Sequence, residues 1–398
     1  MPERNKTIFI SDIHLGDQRS WEATPHPYSW CMDNIGKLGN FLTEKQKDAS
    51  VKELVILGDF FDTWIIPADF SPLTSFDEIC SNPQNKPIID NLKDQKGWSK
   101  IPISYVLGNH DMAISPADIS TTQQYMQKNF PHIKCLFKKD DPLGKYERGL
   151  LLAEHGNRYG LFNGPDNLTN PASFLPIGYF ISRIVGTKEL KTGKGEDICK
   201  IAGEFVGQLV YRLTLHLPIP NFVEGLLRAI AKDAKFKSSD KIDLTGLPGY
   251  NPMDVPSVGK RFGNLLESWS GIDKINAVWS DIGNLFPAAS SQNMKGKKVV
   301  IFGHTHKPEM YYPPKDLSGE GPVSGIPSQW IYANCGSWVD KSPGLFKEQE
   351  LGGYGRECSY VETEEVRDDH KKELRIYVRV KTFPDHKIID EGFVREII

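Results

Sequence analysis

Five short blocks of carboxylate, amide and imidazole side chains each stand at the end of a run of apolar, β-branched residues. They are Asp12-Ile-His14, Gly58-Asp59-Phe-Phe-Asp62, Gly108-Asn109-His110-Asp111, His155-Gly156 and Gly303-His304-Thr305-His306. The runs before them, Thr7–Ser11, Glu53–Leu57, Ile103–Leu107, Leu150–Ala153 and Lys298–Phe302, read as buried strands. Amphipathic stretches at about 33–47, 87–96 and 120–129 predict helices between the early strands. Strands alternating with helices at this rhythm define an α/β layered domain. Further strands are expected at Ile133–Phe137, Trp330–Ala333 and Glu373–Phe383. Ligands of open α/β sheets gather outside the carboxyl ends of the strands, where all five blocks fall.

The residue types in the blocks are metal donors suited to manganese, iron or zinc. An Asp-x-His that continues an extended chain directs both side chains to one side, because residues i and i+2 of a strand share a face. His304 and His306 repeat that spacing. Glycines before Asp59, Asn109 and His304 permit tight turns that bring backbone close to the site. Each block alone has an ordinary explanation. Asp59 after a glycine is a helix N-cap, Gly-Asn-His-Asp is a turn, and a single loop histidine is solvated or hydrogen-bonded. Five such coincidences at five strand ends ask for more than one shared centre does.

Composition narrows the remaining classes. With 48 Lys+Arg against 51 Asp+Glu in 398 residues, the chain lacks the basic field of a dedicated nucleic-acid binder, and no specific nucleic-acid binding is expected. Six cysteines without a CxxC pair read as buried or incidental thiols in a reducing compartment. No signal peptide is legible, and no apolar stretch approaches the ~18 residues of a membrane span. The expected location is cytoplasmic. Neither a Walker-type phosphate loop nor a GxGxxG motif occurs, which disfavours nucleotide-dependent chemistry of those kinds.

In order and wording, the five blocks resemble the calcineurin-like metallophosphoesterase superfamily, whose signature is D-x-H, GDxxD, GNH(D/E), H-G and GHxH. The resemblance covers about 1–160 and 296–340, roughly half of the chain. It implies a layered β-sandwich flanked by helices and a centre of two divalent metal ions, manganese first, with iron or zinc also suited. One metal would be held by Asp12, His14, Asp59 and His306. The other would be held by Asp59, Asn109, His155 and His304, with Asp59 as the bridge. Two cations ~3.5–4 Å apart clamp a phosphate and bring the pKa of a bridging water near neutrality; the hydroxide then attacks phosphorus in line. His110 would protonate the leaving oxygen, with Asp111 as its orienting partner and Asp62 in a supporting structural role.

The wording FISDIHLGD, LVILGDFFDTW and Gly336-Ser337-Trp338 after GHTHKP is similar to the bacterial UDP-2,3-diacylglucosamine pyrophosphatase branch. That branch cleaves a lipid-linked pyrophosphate and carries a helical insertion before its GHTH block. It often has Arg at the place of His110 and H-G-D at the place of His155-Gly156-Asn157. A phosphate-ester or pyrophosphate substrate is therefore expected, the alternative to the pyrophosphate being a broad or nucleotide-directed phosphodiesterase or phosphomonoesterase. A non-catalytic binding module, or a scaffold whose insertion is the functional part, are further readings. The domain division expected is 1–159 with 296–398 as the catalytic domain and 160–295 as a mostly helical inserted cap. Helical patterns run through Ile198, Ile201, Phe205, Leu209 and Leu213, and from Phe222 to Ala231, followed by an irregular stretch from Asp240 to Val258. The cluster Phe174, Leu175, Ile177, Tyr179, Phe180 and Ile181 reads either as core of the insertion or as a cap or lipid-contacting edge. Arg228, Lys232, Lys235, Lys237 and Lys241 read either as a solvated face or as a peripheral contact with the inner face of a membrane. Oligomeric state is not legible.

Overall fold

Runs such as Val51–Leu57 carry apolar side chains on both faces, which requires a sheet covered on both sides. A computed structural model of the chain describes residues 4–112, 116–160, 162–165, 175–194, 222–237, 239–268, 296–312, 328–340 and 358–398. Among these, β1 (Lys6–Ile10), β2 (Val51–Leu57), β3 (Ile103–Val106), β4 (Ile133–Cys135), β5 (Tyr146–Arg148) and β6 (Leu151–Ala153) form in the first part of the chain. A short pair, β7 (Lys241–Ile242) and β8 (Met253–Asp254), follows. The remainder are β9 (Val299–Phe302), β10 (Pro308–Tyr311), β11 (Ile331–Cys335), β12 (Cys358–Asp368), β13 (Glu373–Phe383) and β14 (Ile388–Ile397). One sheet has the order β14-β13-β12-β1-β2-β3-β4 and the other β10-β11-β9-β6-β5.

The fold is the α/β layered arrangement that the strand rhythm predicts. β1 to β4 are parallel neighbours, so helices must cross between them: Ile35–Lys47 after β1, Lys86–Lys93 after β2 and Pro116–Asn129 after β3. Alternate residues of each strand then serve two cores. Phe9, Val55 and Leu57 point between the sheets and meet Leu151, Val299, Ile301 and Ala333. Ile8, Ile10, Leu54 and Ile56 point the other way, onto Leu38, Phe41, Leu42 and Ile88 of the helices. Each such fully buried aliphatic contributes ~1.5–3 kcal/mol.

The sequence pattern predicts β13 but neither β12 nor β14. Those strands carry charges on one face, and the charges pair across the ladder: Arg379 donates to Glu364 at 2.7 Å and to Glu391. Cross-strand pairing therefore hides what would otherwise read as polar loop. The stretch Asp240–Val258, expected to be irregular, instead contains β7, β8 and the start of the helix Val255–Ser268.

Described helices within 160–295 are Ile177–Thr192, Phe222–Asp233 and Val255–Ser268. The helix expected through Ile198 to Leu213, and Phe174, lie outside the described residues. Leu175, Ile177, Tyr179 and Phe180 are buried, with the Phe180 ring 5.9 Å from Tyr250 and 5.5 Å from Phe262. This cluster is core, and its apolar surface is spent on packing inside the protein. Phe180→Ala should cost ~3–5 kcal/mol and lower the thermal midpoint; an unchanged melting curve would contradict the packing. In the basic stretch, Arg228 donates to Glu224 at 2.8 Å, one turn away, and Lys232, Lys235 and Lys237 are exposed. Among the described residues no helix is long and apolar enough to cross a membrane.

Candidate metal centre

The chain leaves β1 at Ser11 and turns sharply. Asp12 and His14 both adopt φ 55°, Asp59 after β2 has φ 50°, and His304 and His306 after β9 have 72° and 58°. These are left-handed conformations that non-glycine residues adopt at a cost of order 1–3 kcal/mol each. The expected mechanism for aiming Asp12 and His14 together, an extended strand, is thus replaced by two left-handed residues flanking Ile13. Pleating would have carried the backbone past the site, whereas the left-handed turns keep it at the strand end. Cross-links hold the turn in place. The amides of Ile13 and His14 both donate to the Asp59 carbonyl at 2.9 Å, and Trp338 N–H donates to the Asp12 carbonyl at 3.0 Å. Backbone approach needs glycine at all three of the expected positions: Gly58 has φ 77°, and a Cβ there would lie 2.4 Å from the Gly108 amide nitrogen. A Cβ on Gly108 would collide with the Asp59 carboxylate, and one on Gly303 with Ser11 Oγ.

All seven donors expected as ligands come together. His306 Nε2 lies 3.3 Å from Asp12 Oδ1 and 3.2 Å from His14 Nε2, and His14 Nε2 lies 3.7 Å from Asp59 Oδ2. On the other side of Asp59, the same Oδ2 is 3.2 Å from His155 Nε2, which is 3.1 Å from Asn109 Oδ1. His304 completes this second group, with one donor atom each from Asp59, His155 and His304 within 4.8 Å of one another. Asp59 is the residue common to both sides.

The rings are oriented by their other nitrogens. His155 Nδ1 is 2.7 Å from the Leu57 carbonyl, which assigns a proton there and leaves Nε2 as the ring nitrogen facing Asp59. His14 Nδ1 is 3.0 Å from Asp62 Oδ2, with the same consequence. Burial opposes the charged forms of Asp12 and Asp59, yet His306 and His155 hold the Asp12 carboxyl below its ordinary range, and His155 and His110 hold Asp59 well below it. Burial alone would lower His155, but Asp59 and Asp12 outweigh it and push the imidazole up to about 9. Burial and the neighbouring His110 lower His14. Asp12 Oδ1 is buried and, among the described residues, has no well-formed hydrogen bond, with His306 Nε2 at 3.3 Å. A carboxylate oxygen without a well-formed hydrogen bond among imidazole nitrogens fits a cation, which would take the place of protons in balancing the buried carboxylates.

His110 stands beside this cluster with its own support, and the supporting carboxylate is Asp62. His110 Nδ1 is 3.0 Å from Asp62 Oδ1, which also accepts the amides of Trp64 and Ile65 at 2.9 Å. One carboxylate thus orients both His14 and His110, and the Asp62 and Asp59 charges raise His110 against the effect of burial. The Trp64 indole stacks on His110 at 4.8 Å and 27°. Asp111, expected as the orienting partner, turns away: it accepts Gly108 N–H at 2.5 Å, Phe60 N–H at 2.9 Å and the Tyr105 hydroxyl. Adjacency in sequence set that expectation, but successive side chains diverge, whereas Asp62 arrives from a different loop. Burial and Asp59 push the Asp111 carboxyl up to about 6. Asp111→Asn leaves one donor unmatched and should lose ~1–3 kcal/mol of stability. Its relative rates on different leaving groups should match those of the parent protein, a comparison that separates Asp111 from Asp62.

Sheets, strand-end turns and a two-lobed Asp/Asn/His cluster define a class, the layered α/β hydrolases built around paired metal ions. The profile of the Calcineurin-like phosphoesterase family matches residues 6–308, well over half of the chain. The chain belongs to that family and is a metal-dependent phosphoesterase, a family assignment that implies two divalent ions. Among solved structures, a dimetal phosphatase from Danio rerio aligns over 98% of this chain and 99% of its own, at 9% identity and a TM-score of 0.39. GAP50, the anchor in the inner membrane complex of Plasmodium, aligns over 98% of this chain and 89% of its own, at 10% identity and a TM-score of 0.33. The assignment rests on the family match and not on these distant overlays. A search among curated proteins finds no match.

Proposed function

We propose that the chain is a phosphohydrolase in which Asp12, His14, Asp59 and His306 hold one divalent cation and Asp59, Asn109, His155 and His304 the other. The observation that carries this reading is the convergence of seven donors from five separate strand ends, with the Nδ1 atoms of His14 and His155 engaged elsewhere. When bound, such a pair of cations supplies Lewis-acid neutralisation of the phosphoryl oxygens and a water acidic enough to attack near neutral pH. Asp59 lies between the two groups, and its Oδ1 accepts the His110 amide at 2.8 Å, which ties the acid to the bridge. His110 holds a proton for the leaving oxygen, and Asp62 stabilises the imidazolium before transfer. Manganese is the metal proposed, iron and zinc being compatible with the same donors.

Two substrate classes are separated by different features. Motif wording supports a nucleotide-lipid pyrophosphate, whereas a histidine at position 110 supports an ester whose alkoxide must be protonated. Metal-stripped protein reconstituted with Mn²⁺ should bind two equivalents and hydrolyse a chromogenic phosphodiester. The substrate panel then runs from nucleotide-lipid pyrophosphates through cyclic nucleotides to simple monoesters. Full turnover by metal-free protein would overturn the reading.

A further inference from the structure

We propose that Arg183 is a positioning residue for this phosphoester hydrolysis, its guanidinium fixing the loop Ile66–Phe70 and thereby holding Trp64 against His110. The proposal rests on His110 acting as the acid. Arg183 lies in the helix Ile177–Thr192, more than seventy residues from His110, and is fully buried. Buried arginines are ordinarily matched with carboxylates. Here the hydrogen-bond partners are backbone carbonyls and a phenol. Nε donates to the Ile66 carbonyl at 2.9 Å, and Nη2 to those of Pro67 at 3.1 Å and Phe70. Nη1 donates to the Asp243 carbonyl at 3.0 Å and to Tyr179 Oη at 2.7 Å.

A planar fork aimed at successive carbonyls fixes a loop more rigidly than a point charge, because each donor has one direction. Two further contacts press the same helix onto the same loop. Thr187 Oγ1 accepts the Ala68 amide at 2.7 Å, and Gly186 packs so closely that a Cβ would lie 2.8 Å from the Ile66 carbonyl carbon. Upstream, the loop is continuous with the support of His110. Asp62 holds the Nδ1 side of the ring, and Trp64 covers its face. Tyr179, itself bonded to Arg183, meets Trp64 edge to face at 5.8 Å. Arg183 therefore reaches His110 by two routes, through the loop backbone and through Tyr179 and Trp64. The inserted helix is built into the wall of the site.

The test compares Arg183→Lys, Arg183→Met, Trp64→Leu and His110→Ala with the parent protein. In the metal-free state, the His110 ring-proton resonance should carry the ring-current displacement of a stacked indole. Trp64→Leu should abolish that displacement, and both Arg183 variants should reduce it. With metals restored at parental stoichiometry, the Arg183 variants should lose kcat by on the order of 10- to 100-fold on an alkyl phosphoester and several-fold less on a nitrophenyl ester, at unchanged KM. Arg183→Lys should lie between Arg183→Met and the parent. An unshifted His110 resonance in folded Arg183 variants, or equal losses on both esters, would overturn the proposal. Trp64→Leu leaves Arg183 intact and must show the same leaving-group bias; its absence there overturns the proposal even where an Arg183 variant fails to fold. If His110→Ala itself lacks the bias, the acid assignment fails instead, and that outcome is read separately from the resonance.

Discussion

Asp59→Asn should abolish turnover, by ~10³-fold or more, and strip the protein of both cations. The expected size follows from the place of this carboxylate, 3.7 Å from His14 Nε2 on one side and 3.2 Å from His155 Nε2 on the other through the same oxygen. Asparagine keeps Oδ1 as acceptor for the His110 amide, so the turn remains tied while the charge is lost. It also tolerates the left-handed φ of 50° better than most residues, which keeps the fold out of the comparison. His14→Ala, by contrast, should weaken one cation and spare most of the other. Metal stoichiometry by mass spectrometry, with turnover on the same samples, checks both. Near-normal metal content and rate in Asp59→Asn would remove the bridged assignment.

His110→Ala should retain both metals and lose rate according to how badly the leaving group needs a proton. A positioned histidine acid contributes ~10²–10⁴-fold, and an alkoxide leaving group should show all of it. Nitrophenolate departs as a stable anion and should show little. Pyrophosphate should fall between, because its leaving phosphate is already stabilised as an anion. Asp62→Asn should follow the same order with smaller losses, since it removes the carboxylate 3.0 Å from His110 Nδ1 but leaves the ring. A deficit equal for all three substrates would make His110 an electrostatic group, and metal loss would make it a ligand. The substrate series measures kcat and KM separately, so lost binding is not mistaken for lost acid catalysis.

Much of the site was legible before any coordinates. Donor chemistry resides in residue type, and strand ends are marked by the switch from β-branched runs to Gly-Asp, Gly-Asn and Gly-His. That information points the five blocks at one shared centre, the family resemblance singles out Asp12, His14, Asp59, Asn109, His155, His304 and His306 within them, and the structure brings these side chains close together. Legibility failed where pairing crosses elements. Strands β12 and β14 read as polar until Arg379 is seen between Glu364 and Glu391. The segment Ile177–Thr192 gives no clean amphipathic stripe because nearly all of it is buried, polar Arg183, Thr187 and Glu189 included.

By itself, the sequence determined the family and the strand ends at which its donor-type residues stand, because both are carried by residue type and local spacing. Tertiary structure alone decided how the donors are aimed and what supports them. It replaced an extended Asp-x-His with left-handed turns, placed Asp62 and not neighbouring Asp111 against the His110 ring, and packed the helix Ile177–Thr192 onto the loop after Trp64 through Arg183. The physical reason is that a hydrogen bond is settled within a few tenths of an ångström and by direction. Side chains forty-eight residues apart, such as Asp62 and His110, reach that tolerance only through the packing of the loops that carry them.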